Sequence, residues 1–113
     1  MLSRLRWQEV TLSEALEITS FMLVSGLTLE DFIAANKDVD PWLQRQPGFI
    51  WRRIGMRSDG HVIDVLLWAS TRDAHRSAAG MVTEMAGSAV HGTIDHSTVS
   101  WVVVECPHIL LPA

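Results

Sequence analysis

The stretch GFIWRRIGMRSDGHVIDVLLWA, residues 48–69, sets two runs rich in Ile, Val, Leu and Trp on either side of Asp59-Gly60. Its reading decides the fold. Asp-Gly between two such runs is a hairpin signal, so Phe49 to Ser58 and His61 to Ala69 are predicted to be antiparallel strands. A two-residue turn at Asp59-Gly60 fixes a register in which Ser58 faces His61, Met56 faces Ile63, Ile54 faces Val65 and Trp51 faces Trp68. Alternation then divides the hairpin into two faces. One carries Ile50, Ile54, Met56, Ile63, Val65 and Leu67, interrupted only by Arg52. The other carries Phe49, Trp51, Arg53, Gly55, Arg57, Val62, Asp64, Leu66 and Trp68. On this second face Arg53 lies diagonal to Asp64 across Gly55, beside the tryptophans. A few charged groups among large apolar ones are what a ligand pocket is made of. The same residues also suit a register-holding ion pair and volume-filling aromatics.

Working outward, Glu17 to Val24 reads as a strand that Ser25-Gly26 ends. Thr28 is an N-cap candidate with Glu30 and Asp31 in the first turn, where the helix dipole favours negative charge. Leu29, Phe32, Ile33 and Ala35 form the apolar stripe of a first helix. Asp40-Pro41 interrupts it and starts a second short helix, Pro41 to Arg45, with Asp40 as N-cap. Pro47-Gly48 leads into the hairpin. After it, Ser70 with Asp73 caps a helix whose stripe is Ala74, Ala78, Met81 and Met85, with Gly87 as the residue beyond its end. Ser97 to Glu105 is the last strand. The order βαββαβ is ferredoxin-like α+β: a four-stranded antiparallel sheet with the helices on one face. The other face would be bare in a monomer, which predicts a homodimer.

The expected division is an N-terminal extension over residues 1–16, the domain over 17–106 and a tail over 107–113. The extension holds irregularly spaced Leu2, Leu5, Trp7 and Val10, and Thr11-Leu12-Ser13-Glu14 is a possible helical cap. With 113 residues, 48% hydrophobic and 19% charged, the chain is a globular domain. A net charge of −4 and scattered arginines, with Lys37 the one lysine, provide no basic stripe for nucleic acid. The lone Cys106 fits a reducing compartment. The apolar runs are too short for a membrane span and polar residues break the N-terminal one, so a soluble cytoplasmic protein is expected.

Beyond the hairpin, Asn36 shares the apolar side of the first helix with Phe32 and Ile33. It needs a partner there, either a ligand, the sheet or the neighbouring backbone. His75, on the later helix, is a candidate general base. His91, Asp95 and His96 lack one-face helical spacing and read as a solvated loop rather than a metal site. Cys106 has no neighbouring base to activate it. Phosphate-binding glycine loops and a serine elbow are absent from the sequence.

Several of these pieces together resemble the antibiotic biosynthesis monooxygenase-like proteins of the dimeric α+β barrel superfamily. They are Phe32-Ile33-Ala34-Ala35-Asn36, Val39-Asp40-Pro41-Trp42-Leu43, Gln46-Pro47-Gly48-Phe49, Arg53, Asp64, and Leu67-Trp68-Ala69-Ser70 followed by Ala74. The resemblance covers roughly Glu17 to Glu105. It implies a homodimer whose sheets form a shared barrel, with one cavity per subunit between sheet and helices and Trp68 facing it. The Ile50, Ile54, Val65 and Leu67 face would then be the barrel interior. Characterised members oxidise aromatic polyketide-like substrates with molecular oxygen and no cofactor; relatives degrade haem. Their strand Asn and Tyr have no counterpart here, since Asn36 is the only Asn and Tyr is absent.

On the resemblance, the expected activity is that of a cofactor-independent monooxygenase acting on an aromatic or polyketide-like molecule. Trp68 and Trp51 would stack the ring, with Asn36 beside it. Arg53 would hold an anionic oxygen, and Asp64 or His75 would move protons. The alternative is a non-enzymatic, dimeric ligand-binding or stress-related module of the same fold.

Overall fold

The computed structural model describes residues 13–113, so most of the expected N-terminal extension lies outside the described residues. The elements are β1 (Ala15–Leu23), α1 (Leu29–Ala35), α2 (Val39–Gln44), β2 (Phe49–Met56), β3 (Val62–Trp68), α3 (Thr71–Val82), a 3-10 turn (Ala89–Thr93) and β4 (Ile94–Glu105). The four strands form one antiparallel sheet in the order β2-β3-β1-β4. This is the expected ferredoxin-like arrangement.

Local chemistry starts and stops the helices. Thr28 Oγ1 accepts from Asp31 N while the Asp31 carboxylate accepts from Thr28 N, a reciprocal box that satisfies two otherwise orphaned amides. Ser70 caps α3 by accepting from Asp73 N. α2 begins at Val39, ahead of the expected Pro41, with Asp38 rather than Asp40 as N-cap. The Asp40 amide is already bonded to Asn36 O at 2.9 Å, which draws the turn back onto the end of α1. α3 stops at Val82, short of Gly87, where the Thr83 hydroxyl donates to Ala79 O at 2.8 Å.

The hairpin differs from the expected register by one residue, and the turn is the reason. Arg57 N donates to His61 O at 2.8 Å and Gly60 N to Arg57 O at 3.0 Å. Ser58-Asp59-Gly60 is thus a three-residue loop. Gly60 takes φ +90°, and no non-glycine among the described residues has a positive φ. A two-residue type I′ turn would need positive φ at Asp59 as well. Met56 consequently pairs with Val62, Ile54 with Asp64 and Arg52 with Leu66. A bulge between Phe49 and Trp51 then brings Phe49, not Trp51, opposite Trp68.

The strand residues facing the helices include Ala15, Glu17, Thr19 and Phe21 of β1 and Val62, Asp64, Leu66 and Trp68 of β3, with Arg52 and Ile54 of β2 beside them. Phe21, Phe32, Val39, Leu43, Val62, Leu66, Trp68 and Ala74 form the buried core beneath the helices. Phe21 and Phe32 meet with ring centroids 5.1 Å apart. A second bulge, two steps on β1 (Ser20 to Met22) against five on β4 (Asp95 to Ser100), lets β4 start at Ile94 instead of Ser97. Thr98 Oγ1 accepts from Met22 N at 2.8 Å to bridge it.

Candidate functional site

The one-residue difference in register turns Arg52 inward. On an otherwise apolar strand face it is the only charge, so it needs partners, and it has them on three elements. Its Nε donates to Asp64 Oδ1 at 2.9 Å and its Nη2 to Asp64 Oδ2 at 2.6 Å, a bidentate pair. Its Nη1 donates to Asn36 Oδ1 at 2.7 Å and to Asp40 Oδ1 at 2.9 Å. Asn36 is held in turn by donating from Nδ2 to Phe32 O at 2.8 Å. Of the guanidinium N–H groups these contacts leave only one, on Nη2. Burial works against the Arg52 charge, but the hydrogen bonds and charges of Asp64 and Asp40 more than offset it and raise its pKa.

Beside this cluster on the sheet sits Glu17, which is 7% exposed. Its Oε1 accepts from Trp68 Nε1 at 2.9 Å and its Oε2 from Trp101 Nε1 at 2.8 Å. The two indoles come from the strands flanking β1, so both oxygens are located from opposite sides. Burial pushes the Glu17 pKa above the ordinary 4.5; the indole donors pull it back, Asp64 adds to the rise, and Arg52 opposes it without cancelling it.

These groups line a cavity of about 360 Å³ between the sheet and the helices. Arg52, Asp64, Glu17, Thr19, Asn36 and Ser77 are its polar members, and His91 and His96 join them from the turn and β4. The remainder is mostly apolar, including Phe21, Phe32, Leu66, Met81, Val90 and Trp101. An apolar cavity with a few aimed polar groups is the ordinary form of a small-molecule site.

The sequence-derived candidates separate on this geometry. Asp64 and Asn36 are in the cavity wall. Trp68 is fully buried, edge-on to Phe49 at 5.6 Å; it is not part of the wall and reaches it only through Glu17. Arg53 and Trp51 lie on the opposite sheet face, stacked on each other with 5.1 Å from guanidinium to ring centroid. The pairing of Arg53 with Asp64 is therefore replaced by Arg52 with Asp64, because the three-residue loop exchanges the faces of β2. Likewise Ile54 turns inward, and the open face carries Trp51, Arg53 and Gly55 with Ile63, Val65 and Leu67. His75 is exposed and meets Trp101 edge-on at 5.5 Å. His91 and His96 stack loosely at 6.4 Å, donating from Nε2 to Met85 O and His91 O respectively.

Glu17, Arg52 and Trp101 were not singled out as site residues from the sequence. Arg52 had a signal, as the lone charge on an apolar face. Glu17 is joined to indoles 51 and 84 residues away, which no local pattern encodes.

No protein-family model matches this chain, and none of the curated proteins is similar to it. Solved structures do match in shape. SnoaB, a cofactor-independent oxygenase from Streptomyces nogalater, is 16% identical with a TM-score of 0.67, over 89% of this chain and 99% of SnoaB. The ActVA-Orf6 monooxygenase of Streptomyces coelicolor, solved with nanaomycin D, is 16% identical with a TM-score of 0.61, over 89% of this chain and 94% of its own. A protein of unknown function from Nitrosomonas europaea, NE2512, is 15% identical with a TM-score of 0.60, over 91% and 98%. At these identities the likeness is one of architecture: the chain shares the ferredoxin-like α+β fold of these structures.

Proposed function

We propose that this chain is a cofactor-independent, monooxygenase-like enzyme acting on an aromatic or polyketide-like molecule. The observation that carries this reading is the cavity of about 360 Å³, apolar except for a few polar groups concentrated around Arg52 and Asp64. A flat polycyclic molecule gains from apolar walls and an adjoining aromatic such as Trp101. The remaining Nη2 hydrogen of Arg52 can donate to a ligand oxygen, and Asn36 keeps the guanidinium in place. The fold shared with SnoaB and ActVA-Orf6 supports the same reading.

The working form is a homodimer. Leu16, Ile18, Ile63, Val65, Leu67, Val102 and Val104 make the open sheet face apolar, and Val102 and Val104 are 46% and 41% exposed. A second copy is the simplest cover for so continuous an apolar surface.

Oxygen uptake and product mass with a panel of anthrone-like substrates test the activity. The wild type is expected to consume oxygen, and Met81→Trp, which fills the cavity, to reduce uptake at least tenfold. A wild type that is inert across the panel while still binding its members refutes the oxygenase reading. That outcome would favour a ligand-binding module, a role consistent with the near-complete engagement of Arg52 by Asp64, Asn36 and Asp40.

A further inference from the structure

We propose that Glu17 is the proton acceptor of this cavity, and that the ligand it serves is a neutral aromatic carbon acid or phenol rather than a preformed anion. The inference rests on the small-molecule reading above and adds to it a residue and a substrate class.

Geometry supplies the first part. Glu17 stands in the cavity wall with one oxygen fixed by Trp68 from β3 and the other by Trp101 from β4. Indole N–H groups are neutral donors, so they orient the carboxylate without neutralising it, and each oxygen keeps a lone pair. Among the described residues no cation lies within ion-pair distance of Glu17. Trp68 and Trp101 are therefore positioning residues for an unneutralised base. A buried carboxyl whose pKa sits above its ordinary value is better matched to proton transfer near neutrality.

The charges around the cavity supply the second part. Arg52 contributes one positive charge; Asp64 and Asp40 contribute two negative ones, so their cluster carries −1 before Glu17 is counted. Sharing the cavity wall with Glu17 are Thr19 from β1, Asp64 from β3, Arg52 from β2, Asn36 at the end of α1 and Ser77 from α3, while the more exposed Asp40 reaches the cluster through Arg52 and His75 meets the edge of Trp101. His91 and His96 complete the wall. The net negative charge of the Arg52, Asp64 and Asp40 cluster makes this surface unfavourable for a carboxylate or phosphate. It accepts an uncharged ligand that presents a proton to Glu17.

A Glu17 oxygen takes the proton of the ligand's acidic C–H or O–H, and the bond pair stays on the ligand as an enolate or phenolate. In the oxygenase reading that pair reduces molecular oxygen to a bound peroxide as the carbon–oxygen bond forms. The proton on Glu17 then returns to the outer peroxide oxygen, and ligand plus oxygen has become hydroperoxide.

Anaerobic hydrogen–deuterium exchange at the acidic carbon of anthrone, followed by NMR, separates the two readings. Wild type should exchange it well above the buffer rate, with a rising pH limb above 4.5, and Glu17→Gln should lose at least 100-fold and the limb. Tryptophan quenching should report at least tenfold tighter binding of anthrone than of a carboxylated analogue. Exchange without oxygen uptake supports Glu17 and sinks the oxygenase reading. Oxygen uptake with exchange unaltered in Glu17→Gln sinks Glu17 and leaves the oxygenase reading standing. Tighter binding of the carboxylated analogue, or no exchange by wild type, also overturns the proposal. Should Glu17→Gln fail to fold, Trp101→Phe takes its place. Loss of a donor to the carboxylate should move the limb to higher pH, and an unmoved limb counts against Glu17.

Discussion

Replacing Asp64 by alanine should be the most costly single change in the polar layer of this protein. The substitution removes two charge-assisted hydrogen bonds, of 2.9 and 2.6 Å, from a guanidinium whose side chain is 10% exposed. Bonds to charged groups contribute about 1.5–3 kcal/mol each. Breaking a buried ion pair from one side costs about 3–5 kcal/mol, because the surviving charge is left without compensation. Arg52 would keep Asn36 and the more exposed Asp40, so the lower end applies, about 3 kcal/mol. Urea unfolding at a fixed protomer concentration measures it, and holding the concentration matters because association shifts apparent stability. The double variant Arg52→Met/Asp64→Leu removes both charges and should recover at least about 1 kcal/mol of that loss. Within one protomer Arg53→Ala, on the other sheet face, forfeits only the cation–π contact with Trp51, about 0.5–1 kcal/mol. A loss below about 1 kcal/mol for Asp64→Ala would refute the register on which the site is built.

Other expectations test separate features. Gly80→Ala improves helix propensity by about 1 kcal/mol in an ordinary interior, but here the added Cβ would lie 2.6 Å from the Trp42 ring. Trp42 is buried and donates to Glu84, so thermal melting should report a net loss of about 1–2 kcal/mol. Glu17 has a folded pKa raised above 4.5, so its stabilising contribution is complete below that value. It is lost as pH rises through the folded pKa, so wild-type melting temperature should fall across that window relative to Glu17→Gln. Val102→Lys, on the open sheet face, should shift sedimentation from dimer to monomer; a monomeric wild type at micromolar concentration would contradict the covered-face reading.

Much of the architecture was legible because periodicity and capping are local. Thr28 and Ser70 cap the helices they were expected to cap, and the hairpin and strand order follow from runs of apolar residues between turn signals. The site was less legible, since it depends on loop conformation at single-residue precision. Asp59-Gly60 reads as a two-residue turn by composition, while the backbone uses Ser58 as well and needs a left-handed residue only at Gly60. That difference exchanged Arg52 for Arg53. Asp64 and Asn36 were unaffected, because β3 and α1 present the same residues whichever register β2 adopts. The start of β4 escaped for a similar reason: a bulge stabilised by the Thr98 side chain has no periodic signature.

The loop at Ser58-Asp59-Gly60 thereby acts as a selector for the chemistry of the cavity. Tightening it to a two-residue turn at unchanged length would draw Ser58 opposite His61 and slip β2 by one residue, withdrawing Arg52 and Ile54 from the interior and presenting Arg53 in their stead. Asp64 would meet a new partner, Asn36 and Asp40 would lose theirs, and Trp51 would enter the helix-facing side. A substitution that admits positive φ at position 59, such as Asp59→Gly, is thus a short mutational path from one binding specificity to another within an unchanged topology.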